Sequence, residues 1–403
     1  MEIRNFWKSG HWPTLLGSFL YFDVSFMVWV LMGATSVYIT QDLQLTASQK
    51  GFMVALPILG GSIMRVVMGL LADRIGAKRS AVLGMSLTLI PLFLLWMFGT
   101  TLYEVYAYGF LLGIAGASFA VALPLASRWY PPRYQGLALG IAGAGNSGTV
   151  FATLFAPRLA EYFGGWHAVF GLAMIPVSLV LAGFVLLAKD APNPPPAKPL
   201  REYVRMVRVK DVWLFCFFYS ITFGGFVGMV SFLPLFFHEQ YQLPTIRSGD
   251  FVTFCVIAGS FFRPIGGWLA DKWGGVRILQ TLFLCILTLF LCVSAMFSLR
   301  LELLFLLLIM ASFGLGNGAV FQLVPQRFAE DIGIVTGIVG AAGGVGGFFL
   351  PSLLGVLKDM TGTYTPGFIV LAVIVGLALF TMLAVSQRWS ESLVKKTSTG
   401  SAV

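Results

Sequence analysis

Apolar stretches long enough to cross a hydrocarbon core, about 20 residues each, recur along the whole chain, with charged positions gathered between them. Twelve are predicted, over 14–39, 50–72, 80–99, 102–128, 134–160, 166–188, 211–238, 247–270, 277–297, 301–326, 333–356 and 365–388. They are apolar on every side. The strands of a membrane barrel would instead be about ten residues long and alternate apolar with polar, so the pattern predicts helices, which satisfy their own backbone in lipid. The first stretch lacks the short apolar core and small-residue cleavage site of a signal peptide and is expected in the mature protein. The expected class is an all-α membrane protein with twelve transmembrane helices.

Composition agrees with lipid as the solvent: the 403 residues are 58% hydrophobic and 11% charged, against roughly a quarter charged in a soluble domain. The formal charge of +9 would suit nucleic acid if the basic residues formed one patch, but they occupy alternate loops. Arg4 and Lys8, Arg74, Lys78 and Arg79, Arg128 and Arg133, Lys198 to Lys210, Lys272 and Arg277, Arg327, and Arg388, Lys395 and Lys396 alternate with loops holding isolated charges such as Asp42, Glu104, Glu161, Glu239, Arg300 and Lys358. Positive loops face the cytoplasm, which places both termini there, and nucleic acid is not an expected partner. Cys216, Cys255, Cys285 and Cys292 fall inside apolar spans and read as small core residues.

The chain also repeats itself. The stretch from Lys189 to Lys210 contains Ala-Pro-Asn-Pro-Pro-Pro-Ala and then a basic run, which breaks helices. It divides the chain into a six-helix half at 1–190, a cytoplasmic linker at 191–210, and a second six-helix half with a short tail at 211–403. A shift of 198 residues sets Arg65-x-x-x-Gly69-Leu-Leu-Ala-Asp73-Arg74-Ile-Gly76 against Arg263-x-x-x-Gly267-Trp-Leu-Ala-Asp271-Lys272-Trp-Gly274, and Tyr21 against Tyr219. A shift of 197 sets Gly140 and Gly143 of the fifth span against Gly337 and Gly340 of the eleventh. Repeated halves that hold a substrate between them near the midplane are an arrangement of secondary transporters.

Arg65 and Arg263 are each eight residues from a loop aspartate, which puts them about 12 Å deep at about 1.5 Å per residue. An intramembrane charge costs upward of about 2.5 kcal/mol and marks a pathway by default. Arginine does not escape by losing its proton, so something negative must balance it. Asp23 is the one deep acid found in the spans, so the cavity is expected to be positive when empty. The guanidinium's parallel N–H donors match two coplanar oxygens, and one arginine from each half suits a planar oxyanion between them. The structural alternative pairs Arg65 with Asp23 and Arg263 with backbone carbonyls. The glycines at Gly140, Gly143, Gly145 and Gly148, and at Gly337, Gly340, Gly343, Gly344, Gly346 and Gly347, uncover backbone and allow close helix approach, for packing or for a ligand.

The segment Gly69-Leu-Leu-Ala-Asp73-Arg74-Ile-Gly76-Ala-Lys78-Arg79, echoed by Gly266-Gly-Trp-Leu-Ala-Asp271-Lys272, resembles the signature loop of the major facilitator superfamily. The glycine-rich fifth and eleventh helices and the two mid-helix arginines resemble its nitrate/nitrite porter branch, over nearly the whole chain. The resemblance implies that both glycine stretches line the substrate path and that Asn146 contacts the ligand. It further implies that Phe119, Tyr219 and Phe223 supply ring walls and a hydroxyl, Tyr219 and Phe223 being four apart and so on one face. Asp73 and Asp271 become gating residues, with Arg128 and Arg133 as their neighbours. Asp23 departs from the resemblance, which has an apolar residue there, and is the expected proton-coupling group.

The expected function is secondary active transport of nitrate, nitrite or both across the cytoplasmic membrane, the anion held between Arg65 and Arg263 and uptake coupled to protons through Asp23. Nitrate/nitrite exchange, nitrite export, carriage of another small oxyanion and a non-transporting anion sensor are the alternatives. No phosphate loop, nucleophile motif or metal-ligand spacing accompanies His11, His167 and His238, so neither an enzyme nor a cofactor is expected, and the protein is expected to be a monomer in the bilayer.

Overall fold

A computed structural model describes residues 3–192, 199–328 and 331–399, and among the described residues it contains helices and no strand. Among the described residues, eleven helices are long and apolar enough to cross a membrane. The first predicted span is continuous in sequence but not in space: it runs as Trp12–Trp29, Leu31–Ala34 and Ser36–Leu43, here together α1. The breaks fall at Val30 (φ −95°, ψ 3°) and Thr35 (φ −98°, ψ 3°), both in the bridge region between helix and strand. The eleven follow as α2 (Ala47–Ile75), α3 (Ala77–Phe98), α4 (Leu102–Ser127), α5 (Tyr134–Tyr162), α6 (Trp166–Leu187), α7 (Lys210–Tyr241), α8 (Thr245–Trp273), α9 (Gly275–Ser294), α10 (Leu299–Arg327), α11 (Ile332–Thr361) and α12 (Thr365–Ser386).

The sequence repeat has a direct counterpart in α2 and α8. Both are 29 residues long, begin and end 198 residues apart, and stop at a glycine with positive φ, Gly76 at 96° and Gly274 at 89°. That conformation is costly for any residue with a Cβ, so the two glycines fix the two stops and with them the depth of Arg65 and Arg263.

Two stretches are more ordered than expected. The segment between α6 and α7, read as a structureless linker, holds a helix at Leu200–Val207, and the helix containing α12 continues to Thr399, where a short tail was expected. The proline run 193–198 lies outside the described residues.

The two faces of the molecule differ. At the face away from the basic loops, the first six helices and the last six are tied together. Lys50 meets Glu239 and Arg158 meets Asp250, each at 2.7 Å. Thr153 and Thr253 share a hydrogen bond of 2.8 Å. Asp359 accepts from the Ala47 and Ser48 amides at 2.9 and 2.7 Å, satisfying orphan donors at the start of α2 with the charge its dipole favours. Gly51 and Gly355 bring α2 and α11 into backbone contact there: a Cβ on Gly355 would stand 3.2 Å from Gly51 Cα. Toward the basic face the helices separate. Among the described residues, a Cβ on Gly136, Gly140 and Gly143 of α5 or on Gly333 and Gly337 of α11 would meet no atom of a neighbouring helix within 4 Å. On the basic face the helix Leu200–Val207 reaches both halves, through Tyr203 to Asp73 and through Arg205 to Asp331 at 3.1 Å.

Candidate functional site

Arg65 lies in the middle of the closed bundle and is 2% exposed. Its Nε donates to the Gly116 carbonyl at 2.9 Å and its Nη1 to the Gly340 carbonyl at 2.7 Å. Gly116 belongs to a 3₁₀ turn, Gly113–Ala117, inside α4. This turn forms where α4 crosses α2 at backbone contact: a Cβ on Gly113 would stand 2.6 Å from Gly60 Cα. Mid-helix 3₁₀ turns have poorer internal hydrogen-bond geometry, and here the Gly116 carbonyl also accepts from an arginine. Three rings surround the guanidinium, Phe223 at 4.7 Å, Trp29 at 5.1 Å and Phe119 at 5.5 Å. Trp29 is itself fixed by its indole N–H, which donates to the Pro57 carbonyl at 2.7 Å. Arg65 Nη2 is buried with no hydrogen-bond partner.

Arg263 is partly exposed. Its guanidinium lies over Phe119 at 5.5 Å and Phe321 at 5.8 Å, so Phe119 is equidistant from the two cations. Tyr219 lies within the electrostatic reach of both arginines, and its hydroxyl is buried without a hydrogen bond of good geometry. Its ring stacks on Phe223, centroids 5.1 Å apart and planes at 6°. The two were expected on one α-helical face. They do pack together, but across a π-helical turn, Ser220–Gly224. Gly224 there faces α11, where a Cβ would stand 2.6 Å from the Gly343 carbonyl, and the Ser220 hydroxyl donates to the Ala342 carbonyl at 2.8 Å. π-turns of this kind gather at functional sites.

Asn146 sits 5% exposed in another irregular turn, the 3₁₀ segment Ala144–Ser147 of α5. It was expected to aim an amide N–H at the ligand. Its Nδ2 instead donates to the Ser260 hydroxyl across the interface with α8, at 3.0 Å, and its Oδ1 is buried without a partner. Gly340 and Gly343 border the same cluster: a Cβ on Gly340 would lie 3.7 Å from Phe119, and one on Gly343 would lie 2.5 Å from Tyr219 and 3.1 Å from Phe223. Gly143 opens onto empty space.

Asp23 does not pair with Arg65. Its carboxylate accepts from the Ser147 hydroxyl at 2.7 Å and from the Gly148 amide, at the start of Gly148–Tyr162, the second α-helical part of α5. It thereby caps that segment. The contact needs glycine, since a Cβ on Gly145 would stand 2.9 Å from the Asp23 amide nitrogen. A buried acid, Glu302, lies in the first turn of α10 beside Tyr241 rather than in the cluster. Tyr21, opposite Tyr219 in the repeat, packs on Phe184 at 5.8 Å and is outside the cluster.

Of the expected gating residues, Asp73 and Arg128 form an ion pair at 3.3 Å. Tyr203 of the linker helix also reaches Asp73, and burial first, then that carboxylate, raise its phenol above the usual range. Asp271 accepts from Gln322 at 2.9 Å rather than from a cation. The side chain of Arg133 lies outside the described residues.

Sequence reasoning missed Trp29, Ser260 and Phe321. Ser260 carried a usable signal, since it is three residues before Arg263 and therefore on its face of α8. Trp29 and Phe321 carried none, because aromatics are common throughout the spans.

The family model described as Major Facilitator Superfamily matches residues 17–351. The chain is 33% identical to the nitrite extrusion protein of Bacillus subtilis (strain 168), over 91% of this chain and 92% of that protein. It is 33% identical to the probable nitrate/nitrite antiporter NarK1 of Thermus thermophilus, over 94% and 90%. It is 34% identical to the probable nitrate transporter NarT of Staphylococcus carnosus (strain TM300), over 90% and 93%. Among solved structures, a D-xylose-proton symporter superposes with a TM-score of 0.73 at 15% identity, covering 92% of this chain and 96% of that one. A bacterial homologue of the human lysosomal transporter Spinster does so at 0.73 and 18%, covering 93% and 96%. At these identities the likeness is one of fold. Sequence and fold agree, and the chain is a multi-pass membrane protein that belongs to the Major Facilitator Superfamily, in the nitrate/nitrite transporter group that these relatives represent.

Proposed function

We propose that this protein carries nitrate or nitrite across the cell membrane by alternating access, as a twelve-helix transporter with both termini in the cytoplasm. The anion would sit between Arg65 and Arg263 at the interface of two six-helix halves, 1–190 and 211–403. The observation that carries this is the buried guanidinium of Arg65, which has carbonyl and ring partners but no acid, and whose Nη2 donors are unspent. A buried charge without a counter-ion is strongly unfavourable, and a planar anion supplies both the charge and the acceptors. Phe119 and Phe223 would wall it in, with Tyr219 and Asn146 adding polar contacts and Gly340 and Gly343 the room. The basic loops would mark the cytoplasmic side, from which the anion site would open in this arrangement. Asp73 with Arg128, and Asp271 with Gln322, lie where an inner gate would close, and Arg133 is read as part of that gate.

Proton coupling through Asp23 would act at one remove. Asp23 holds Ser147, the residue next to Asn146, so a proton on its carboxylate would loosen the turn that presents Asn146 to the anion. Exchange of nitrate for nitrite is the second reading, favoured by the absence of any acid among the named contacts of either arginine. The test is nitrate uptake into proteoliposomes, with internal nitrite or with an imposed pH gradient. Acceleration by internal nitrite alone means exchange, and acceleration by an inward proton gradient means symport. No nitrate flux under either condition would refute transport of this anion.

A further inference from the structure

Most hydroxyls inside these helices bond to their own helix. Ser62, Thr88, Thr253, Ser312 and Ser352 each donate to the carbonyl four residues back, the usual resting place for a helical serine or threonine. Ser260 is different. It accepts from Asn146 Nδ2 at 3.0 Å, across the interface between α5 and α8, one turn from Arg263. In this arrangement the Asn146 amide is half satisfied: its nitrogen is bonded, and its Oδ1 is buried with no partner. An unpaired acceptor lone pair beside a bound anion would repel it.

A hydroxyl is both donor and acceptor, and this permits a second arrangement of the same pair. With the amide turned over, the Ser260 O–H donates to Oδ1, and both Nδ2 hydrogens face the cavity. We propose that Ser260 is a positioning residue for the anion: it sets the orientation of Asn146, accepting from the amide in the arrangement described and able to donate to it when the amide turns its N–H groups to an anion. In the arrangement described one of the two Nδ2 hydrogens is held by Ser260; turned over, the amide offers both to the anion. Because Asn146 and Ser260 belong to different halves, the bond also ties the orientation of the amide to the approach of α5 and α8. The inference rests on the reading that Asn146 meets nitrate or nitrite.

The test is nitrate binding to the purified full-length protein by titration calorimetry, with melting temperatures as a check on folding. Ser260→Ala, which leaves the Asn146 amide without the hydroxyl that orients it, should weaken nitrate binding about tenfold, the scale of one lost hydrogen bond, in a variant that still melts as a folded protein. Ser260→Thr, which keeps the hydroxyl, should bind within a small factor of wild type. The isosteric Ser260→Val should not, and this pair carries the test if the alanine variant is unstable. Asn146→Ala should bind as weakly as Ser260→Ala, and the double variant no more weakly than Asn146→Ala, because one residue acts through the other. Wild-type affinity in Ser260→Ala, or additive losses in the double variant, would overturn the inference and leave the anion site standing. Failure of the folded wild-type protein to bind nitrate would remove the functional reading and this inference with it.

Discussion

Arg65 and Arg263 occupy the same position in two helices of identical length, yet their surroundings have little in common. Arg65 is sealed among three rings and spans the interface, since one of its two carbonyl partners, on Gly340, belongs to α11. Arg263 lies over two rings beside a tyrosine hydroxyl and is partly exposed. An internal repeat therefore fixes how deep a side chain lies and which way its helix presents it, while the neighbours that decide its energetics come from helices that have diverged. Arg65 is expected to be a fixed part of the protein, and Arg263 a group that can follow the anion as the halves move.

The largest expected effect separates the two. Arg65→Ala removes a cation and leaves the Gly116 and Gly340 carbonyls without their arginine partner, and each buried group left unsatisfied costs about 1–3 kcal/mol. Nitrate flux should disappear and the melting temperature should fall clearly. Arg263→Ala should also abolish flux, since the ligand loses half its charge partners, but should melt close to wild type. Flux assays paired with thermal melts in the same detergent check both. If Arg263→Ala melts as low as Arg65→Ala, the distinction between a fixed and a following cation is lost.

A smaller effect is expected at the glycines. Gly343→Ala would place a methyl group 2.5 Å from the Tyr219 ring and 3.1 Å from Phe223, so the stacked pair must shift, and overpacking of this kind costs about 1–3 kcal/mol. Nitrate affinity should fall by about tenfold. Gly337→Ala, two turns away and facing open space, should leave affinity unchanged. Titration of both variants decides whether the α11 glycines act by room for the rings or by general helix packing. Equal losses in the two would favour packing.

Much of the fold was legible because lipid leaves few options. Spans, loops and repeat follow from hydropathy and charge alone, and α2 and α8 confirm the 198-residue shift at both their ends. The cluster of Arg65, Arg263, Phe119, Tyr219 and Phe223 was legible only in part. The arginines declare themselves by the cost of their burial, whereas Trp29 is one aromatic among many. The three irregular turns, in α4, α5 and α7, left no mark that could be read. They arise where glycines let neighbouring helices touch, and contact between helices is not written in the period of either one. The partner of Asp23 was hidden for the same reason. The alternative reading paired it with Arg65, and the structure gives it a hydroxyl and an amide of α5.

That substitution of partners sets up the smallest and most discriminating effect. Asp23→Asn, like a protonated Asp23, keeps an oxygen able to accept from Ser147 and Gly148, only more weakly, so the turn of α5 should be loosened but formed and nitrate/nitrite exchange should persist at a reduced rate. Asp23→Ala removes the acceptor, and loss of a helix cap costs about 1 kcal/mol, which should lower the melting temperature and weaken nitrate binding through Asn146. What the asparagine variant does lose is the capacity to take up a proton. If Asp23 couples proton entry to uptake, nitrate accumulation driven by an imposed inward proton gradient should vanish in Asp23→Asn while exchange persists. If the variant accumulates nitrate with an unchanged response to the gradient, Asp23 serves α5 alone, and any coupling proton must bind elsewhere.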